Sequence, residues 1–363
     1  MPQSTFKSQP LLPKTILISY LMRSKRMAAI SFNPRLNVQG GRKNHGVVVE
    51  EIAGLIRVYG DGHVERPPII PSAPCMVTNG VVSKDVAIEK FTNLWTRIYV
   101  PSYSSKMPLL VYFHGGGFCV GSASWRCYHE FLAALASKAG CIVLSLNYRL
   151  APENRLPAAY DDGINTLMWV KQEARNGANE HKWWLNQCRF SSLFLAGDSA
   201  GANIAYNVAI RSYGISGSSI KPLILKGIIL IQPFFGGEER TISEMHATQP
   251  ANSALSLSVF DTYWRLSLPL GADRDHPWCN PLAEGATTLR ELKLPAAMVC
   301  ISEKDILKDR NLEFCNALAS SGKWVETRMY EGVGHAFQIL HNSQFSQIRT
   351  QEMMSHLKAF IKQ

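Results

Sequence analysis

From about residue 90 to the end of the chain, short apolar runs alternate with longer amphipathic stretches. The runs are LLVYF (109–113), CIVLSL (141–146), LFLAG (193–197), GIILIQ (227–232), AAMVCI (296–301) and VETRMY (325–330). Most are continuously apolar and rich in β-branched or aromatic residues, as strands covered on both faces must be. Between them, 127–138, 157–172, 200–212, 306–320 and 347–361 carry helical spacing. This alternation predicts an α/β fold, with a mostly parallel central sheet and helices on both faces. Two regions break it: 233–285, with PFFGGEER and ADRDHPWCNPL, reads as an insertion, and 27–80 reads as irregular. Both are expected to form a cap over the C-terminal ends of the strands, where open α/β sheets place their ligands. Residues 27–363 are expected to form a single domain.

Composition narrows the function classes. With 363 residues, 46% hydrophobic and only 18% charged, the chain can bury a large core. A net charge of +10 suggests nucleic acid until its distribution is read. Eight lysines and arginines fall in residues 1–49 and no acid precedes Glu50, so the rest of the chain carries about +2. No basic helix interleaved with aromatics occurs there, and no nucleic-acid partner is expected. Residues 1–26 form a basic extension outside the expected fold. Its apolar part, Ile16 to Leu21, is too short to span a bilayer, so no stable membrane insertion is expected. It shares the serines and the lack of acids of a transit peptide, whereas a start at Met27 is the simpler account. Eight cysteines without a C-x-x-C pair, and no N-x-[ST] sequon, argue against zinc or a secreted disulfide scaffold. They point to reduced thiols in the cytoplasm, with organelle targeting by 1–26 left open.

Two motifs bring chemistry. Gly197-Asp198-Ser199-Ala200-Gly201 follows an apolar run and precedes a helical stretch. In a strand-to-helix turn this tight, the serine takes a strained backbone and its neighbours two positions away must lack bulk. The turn lifts Ser199 Oγ clear of the sheet and puts the Ala200 N–H at a helix N-terminus, where a developing anion is favoured. Upstream, LLVYFHGGGFCVGS places three glycines directly behind a strand. An acyl-transfer intermediate needs two or three fixed N–H donors around its oxyanion. Gly115, Gly116 and Gly117 suit that need, together with Ala200, in an HGGG-type loop. A phosphate loop would need a G-x-G-x-x-G or G-K-[ST] spacing that is absent here. His114 reads as structural, because it precedes the serine and the expected chain order is serine, acid, histidine. His335 follows the last strand in a Gly-flanked loop, whereas His341 and His356 lie in or near the final helix. Among Glu303, Asp305 and Asp309, Asp305 sits in the strand-end loop, while Asp309 falls one turn into a helix. Phe118 and Trp125 are candidates for lining an apolar pocket, with core packing an equal reading.

These segments carry a resemblance. HGGGFCVGS, NYRLAPENRLPAAYDD, LAGDSAGANIA, EKDILKD and YEGVGHAF, in this order over 47–363, resemble the plant carboxylesterases of the hormone-sensitive-lipase-like group. The resemblance implies an α/β-hydrolase fold and a serine carboxylesterase acting on small-molecule esters, without metal or cofactor. It implies Ser199 as nucleophile, His335 as base, Asp305 as acid, and Gly115 to Gly117 with Ala200 as oxyanion hole. Tyr148, Arg149, Glu153, Asp161 and Asp162 correspond to the group's structural shell, and VVVEEIAGLIRVYGDGHVERP to its cap-forming leader. The group also contains dehydratases, cyclases and receptors. The receptors have lost the histidine that this chain keeps at His335, and a threonine in place of Ser199 would have hinted at the lyases.

Overall fold

The run expected at 109–113 is the middle of a nine-stranded sheet. The computed structural model describes residues 45–78, 80–102, 105–214, 220–246, 253–340 and 343–363. The basic extension and residues 27–44 of the expected cap lie outside these. A small antiparallel sheet of β1 (Val48–Ile52), β2 (Ile56–Tyr59) and β3 (Val64–Glu65) comes first. The large sheet contains β4 (Val77–Thr78), β5 (Val81–Glu89), β6 (Leu94–Pro101), β7 (Met107–Phe113), β8 (Ile142–Asn147), β9 (Cys188–Asp198), β10 (Leu225–Ile231), β11 (Ala296–Ser302) and β12 (Val325–Tyr330). Its order is β12-β11-β10-β9-β7-β8-β6-β5-β4. Pairs from β12 across to β8 are parallel, and those from β8 to β4 are antiparallel.

The principal helices are α1 (Arg126–Ala139), α2 (Ala158–Asn176), α3 (Ala200–Gly214), α4 (Leu257–Ser267), α5 (Lys308–Ser320) and α6 (Gln344–Ile361). Every residue of β7 is buried, because helices cover both of its faces. Leu109, Val111 and Phe113 join one core with Leu167 of α2, Ile204 and Val208 of α3 and Leu318 of α5. Leu110 and Tyr112 join the other, with Phe131 and Leu132 of α1 and Met353 and Leu357 of α6. The period-two alternation of a strand sorts neighbours into the two cores. From β7 the chain crosses to β8 on one side, then returns to β9 on the other. That reversal opens a crevice beyond the C-terminal ends of β7 and β9.

The six expected strands and five expected helices are all present, shifted by a few residues at their ends. Residues 48–65, expected to be irregular, instead form β1–β3. Two- to five-residue strands are too short to establish a period, so the pattern gave no signal there. The β5–β6 hairpin also lacks a continuous apolar run, since VVSKDVAIE interleaves charges on a partly exposed edge. Within 233–285, α4 is the main regular element. Its Arg265 is paired with Glu50 of β1 at 2.8 Å, joining the leader to the insertion.

The charged residues expected as a structural shell are held in ion pairs. Asp162 is fully buried and accepts from the Arg149 backbone N–H at 2.8 Å and from its guanidinium at 2.6 and 2.9 Å. Glu153 takes a bidentate bond from Arg66, and Asp161 pairs with Arg211 at 2.9 Å. Asp162→Ala would strand Arg149 and an unpaired backbone donor, so a loss of about 3 kcal/mol is expected. Urea unfolding of the variant should show a lower midpoint with unchanged slope; an unshifted midpoint would contradict this account.

Candidate active site

Ser199 stands at the junction of β9 and α3 with φ +53°, a left-handed conformation that non-glycine residues rarely adopt. The turn is held by the Ser199 N–H donating to Ile231 O at 2.8 Å, and by Ala202, Asn203 and Phe234 N–H groups donating to Ser199 O. The flanking glycines are dictated by close approach. A Cβ on Gly201 would lie 1.9 Å from the Phe113 carbonyl oxygen, and one on Gly197 would lie 2.3 Å from Gly201. Strand β7, helix α3 and the end of β9 therefore touch backbone to backbone.

Three sequence-predicted residues, from loops after three different strands, meet here. His335 Nε2 is 2.9 Å from Ser199 Oγ, and His335 Nδ1 is 2.7 Å from Asp305 Oδ2. A carboxylate can only accept, so Nδ1 carries the hydrogen and Nε2 is left to accept from the hydroxyl. Asp305 is 1% exposed, and its other oxygen accepts from the Leu307 N–H at 3.1 Å. The alternatives are engaged elsewhere: Asp309 accepts from Ser243 N–H at 2.6 Å, and Glu303 from Gly332 N–H at 2.7 Å. His356 contacts the Tyr330 hydroxyl, and His341 lies outside the described residues.

The glycine loop departs from expectation at one position. The Gly115 N–H donates to Tyr128 Oη at 2.8 Å and to Asp198 Oδ1 at 3.1 Å, so it is not free for a ligand. Its side is closed as well, since a Cβ there would lie 2.6 Å from Asp198 Oδ2. The N–H groups of Gly116, Gly117 and Ala200 have no hydrogen-bond partner among the described residues. Gly116 and Gly117 both have positive φ, and a Cβ on Gly117 would lie 2.1 Å from the Tyr263 ring of α4. Ser267, one turn on, donates through Oγ to Tyr263 O at 2.6 Å and lies 3.0 Å from Gly117 O. The insertion thus packs directly on the glycine loop.

His114 is fully buried, with Nδ1 donating to Gly115 O at 2.8 Å and its ring stacked on Tyr148 at 4.3 Å. Burial pushes it down to about 4, so it stays neutral and shapes the loop. Phe118 is corrected to core: it is 1% exposed, packed between Phe234 and Trp264 at 6.1 and 5.4 Å. Positive φ at Phe118 turns this ring into the aromatic cluster. Trp125 is half-buried and stacks on Tyr128.

Sequence reasoning missed two positioning residues. Asp198, the variable position of the serine motif, is buried and accepts from Tyr112 Oη at 2.8 Å, Tyr128 Oη at 3.0 Å and the Gly115 N–H. Gln232, with φ +48°, accepts from the Ala336 N–H at 2.8 Å and donates to Ser302 Oγ. It clamps the residue after His335 to the end of β11. No local pattern marks either one, because their partners are distant in sequence.

A match to the alpha/beta hydrolase family covers residues 110–339, and the chain belongs to that family. It is 48% identical over 326 residues to a probable carboxylesterase of Arabidopsis thaliana, covering 87% of this chain and 92% of that one. It is 37% identical to a 2-hydroxyisoflavanone dehydratase of Glycyrrhiza echinata, covering 80% and 90%. A solved esterase of Pyrobaculum calidifontis superposes with a TM-score of 0.63 at 27% identity, over 76% of this chain and 84% of that one. Among the described residues no helix is long and apolar enough to cross a membrane.

Burial raises Asp198 to about 6, against a usual carboxyl value near 3.8. The native state therefore holds this proton more tightly than the unfolded chain, and stability from this group falls as pH rises between those values. Asp198→Asn should remove a penalty on the order of 2–3 kcal/mol at pH 7 that is absent near pH 4. Urea unfolding of both proteins at the two pH values measures it, the His114 contribution cancelling between them. A difference independent of pH would contradict the buried carboxylate.

Proposed function

We propose that this chain cleaves esters through an acyl-enzyme on Ser199. The protein is a carboxylic-ester hydrolase, and the observation that carries the residue assignment is the relay of 2.9 and 2.7 Å contacts from Ser199 through His335 to Asp305. In this reading Ser199 Oγ attacks the ester carbonyl carbon while His335 Nε2 takes the hydroxyl proton. Asp305 fixes the tautomer and stabilises the imidazolium. Negative charge collects on the former carbonyl oxygen, in a hole formed by the N–H groups of Gly116, Gly117 and Ala200, with Gly115 as their support. The tetrahedral intermediate collapses, the alcohol leaves with the proton from His335, and water repeats the sequence to release the acid. The reaction calls on no metal or cofactor.

The leader and the insertion act as the cap. Support for this comes from the Tyr263 ring against Gly117 and from the Arg265–Glu50 pair, which ties α4 to β1. The substrate is a small-molecule ester. A second reading, elimination on the same scaffold, rests on the identity to the dehydratase.

Ser199→Ala should lower kcat for short-chain p-nitrophenyl esters by about 10⁴-fold or more, with the unfolding midpoint little changed. A folded wild type that neither turns over these esters nor is labelled by an organophosphate would sink the proposal. Labelling without turnover would favour the elimination reading. Residues 1–26 fused to a fluorescent protein should leave it in the cytoplasm, as the reduced-thiol reading expects. Accumulation in an organelle would assign them as a targeting segment instead.

A further inference from the structure

A second cleft of about 580 Å³ lies at the N-terminal ends of the parallel strands. Met107 and Pro108 open β7 in its wall, while the glycine loop follows the other end of that strand. At about 3.3 Å per residue, the seven-residue strand separates the two places by about 20 Å. The volume falls in the range of small-molecule sites.

Its lining is chemically one-sided. Lys106, Arg189, Lys226 and Lys362, all exposed, line it together with Ser191 and Ser192. No Asp or Glu lines it among the described residues, and none of the four cations is in an ion pair there. A terminal carboxylate at Gln363 would offset one of the four charges. The chain beyond residue 49 carries only about +2, so this gathering is local rather than a reflection of composition. Like charges brought together repel, and a bound anion relieves that cost. Arg189 is partly oriented, since one guanidinium nitrogen donates to Lys106 O at 2.9 Å, and the rest of the fork has no partner among the described residues. A planar fork of this kind suits phosphate oxygens.

The floor of the cleft is apolar. Phe194 and Phe360 meet edge to face at 6.0 Å, and Pro108 and Ile361 flank them. Gly227 packs beneath Phe360 so closely that a Cβ would lie 2.7 Å from its ring. The floor is therefore closely packed, with Phe194 and Phe360 only 4% and 2% exposed, and the open apolar surface beside the cations is supplied by Ile224, 47% exposed.

We propose that this cleft is a second ligand site, one that takes a small organic phosphate monoester with an apolar body. The phosphate sits among Arg189, Lys106, Lys226 and Lys362, and the apolar body lies against Ile224 and the exposed edges of Phe194 and Phe360. The site is independent of the Ser199 chemistry.

Phenyl phosphate is the probe, titrated calorimetrically into the full-length chain. It should bind about fivefold or more tighter than inorganic phosphate, the difference being the apolar floor. The Arg189→Ala/Lys226→Ala double variant should bind it about tenfold or more weakly, while hydrolysing p-nitrophenyl acetate within about twofold of wild type. Absence of binding at millimolar concentration, equal affinity in the double variant, or equal affinity for inorganic phosphate would each overturn the proposal. So would capture by phosphatidic-acid vesicles without binding of phenyl phosphate, which would make the basic rim a membrane-facing surface.

Discussion

The site depends on a single backbone contact, the packing of Gly201 against the carbonyl of Phe113. Helix α3 can start directly above β7 only because no side chain stands between them. That proximity forces the chain to turn at Ser199 within one residue, which drives its φ to +53°. The strain is on the order of 1–3 kcal/mol and is held by the Ser199 N–H bond to β10 and by the first turn of the helix. From the same contact follow the raised position of Oγ and the placement of the Ala200 N–H at the head of a 15-residue helix.

A buried carboxylate then fixes the second half of the site. Asp198 has no cation partner among the described residues, and two tyrosine hydroxyls and a backbone N–H carry its charge instead. These neutral donors leave its proton affinity raised, yet they lock the serine turn to the glycine loop through Gly115. This explains three glycines in a row. Gly115 makes room for Asp198, Gly116 for the Val120 carbonyl, and Gly117 for the Tyr263 ring. Only the last two keep an uncommitted N–H. The motif is thus divided between architecture and chemistry.

The segments proposed as the cap are joined to the same loop. Ser267 and Tyr263 bring α4 onto Gly117, Arg155 holds the Arg265 and Leu268 carbonyls, and Glu50 ties in the leader. Contacts thus run from Glu50 of β1 through α4 to the glycine loop. The opposite end of the sheet has its own cluster of cations, far enough from this network to bind independently.

The sequence by itself determined the strand–helix alternation and the serine turn, and it marked Ser199, His335 and Asp305 as candidates. Those features are local: continuous apolar runs, glycines at fixed offsets, and a histidine and an acid each just past a strand. Its silence over 48–65 and 81–101 has a physical cause, since short or half-exposed strands carry no strong period. Tertiary structure alone decided that Gly115 is braced rather than available, that Phe118 faces the core, and that Asp198 and Gln232 position the loops. It also gathered Lys106, Arg189, Lys226 and Lys362 into one cleft, although they are spread over more than 250 residues of chain. Each of these outcomes is set by a partner on another strand or loop, and sheet order brings such partners together in space where sequence spacing cannot.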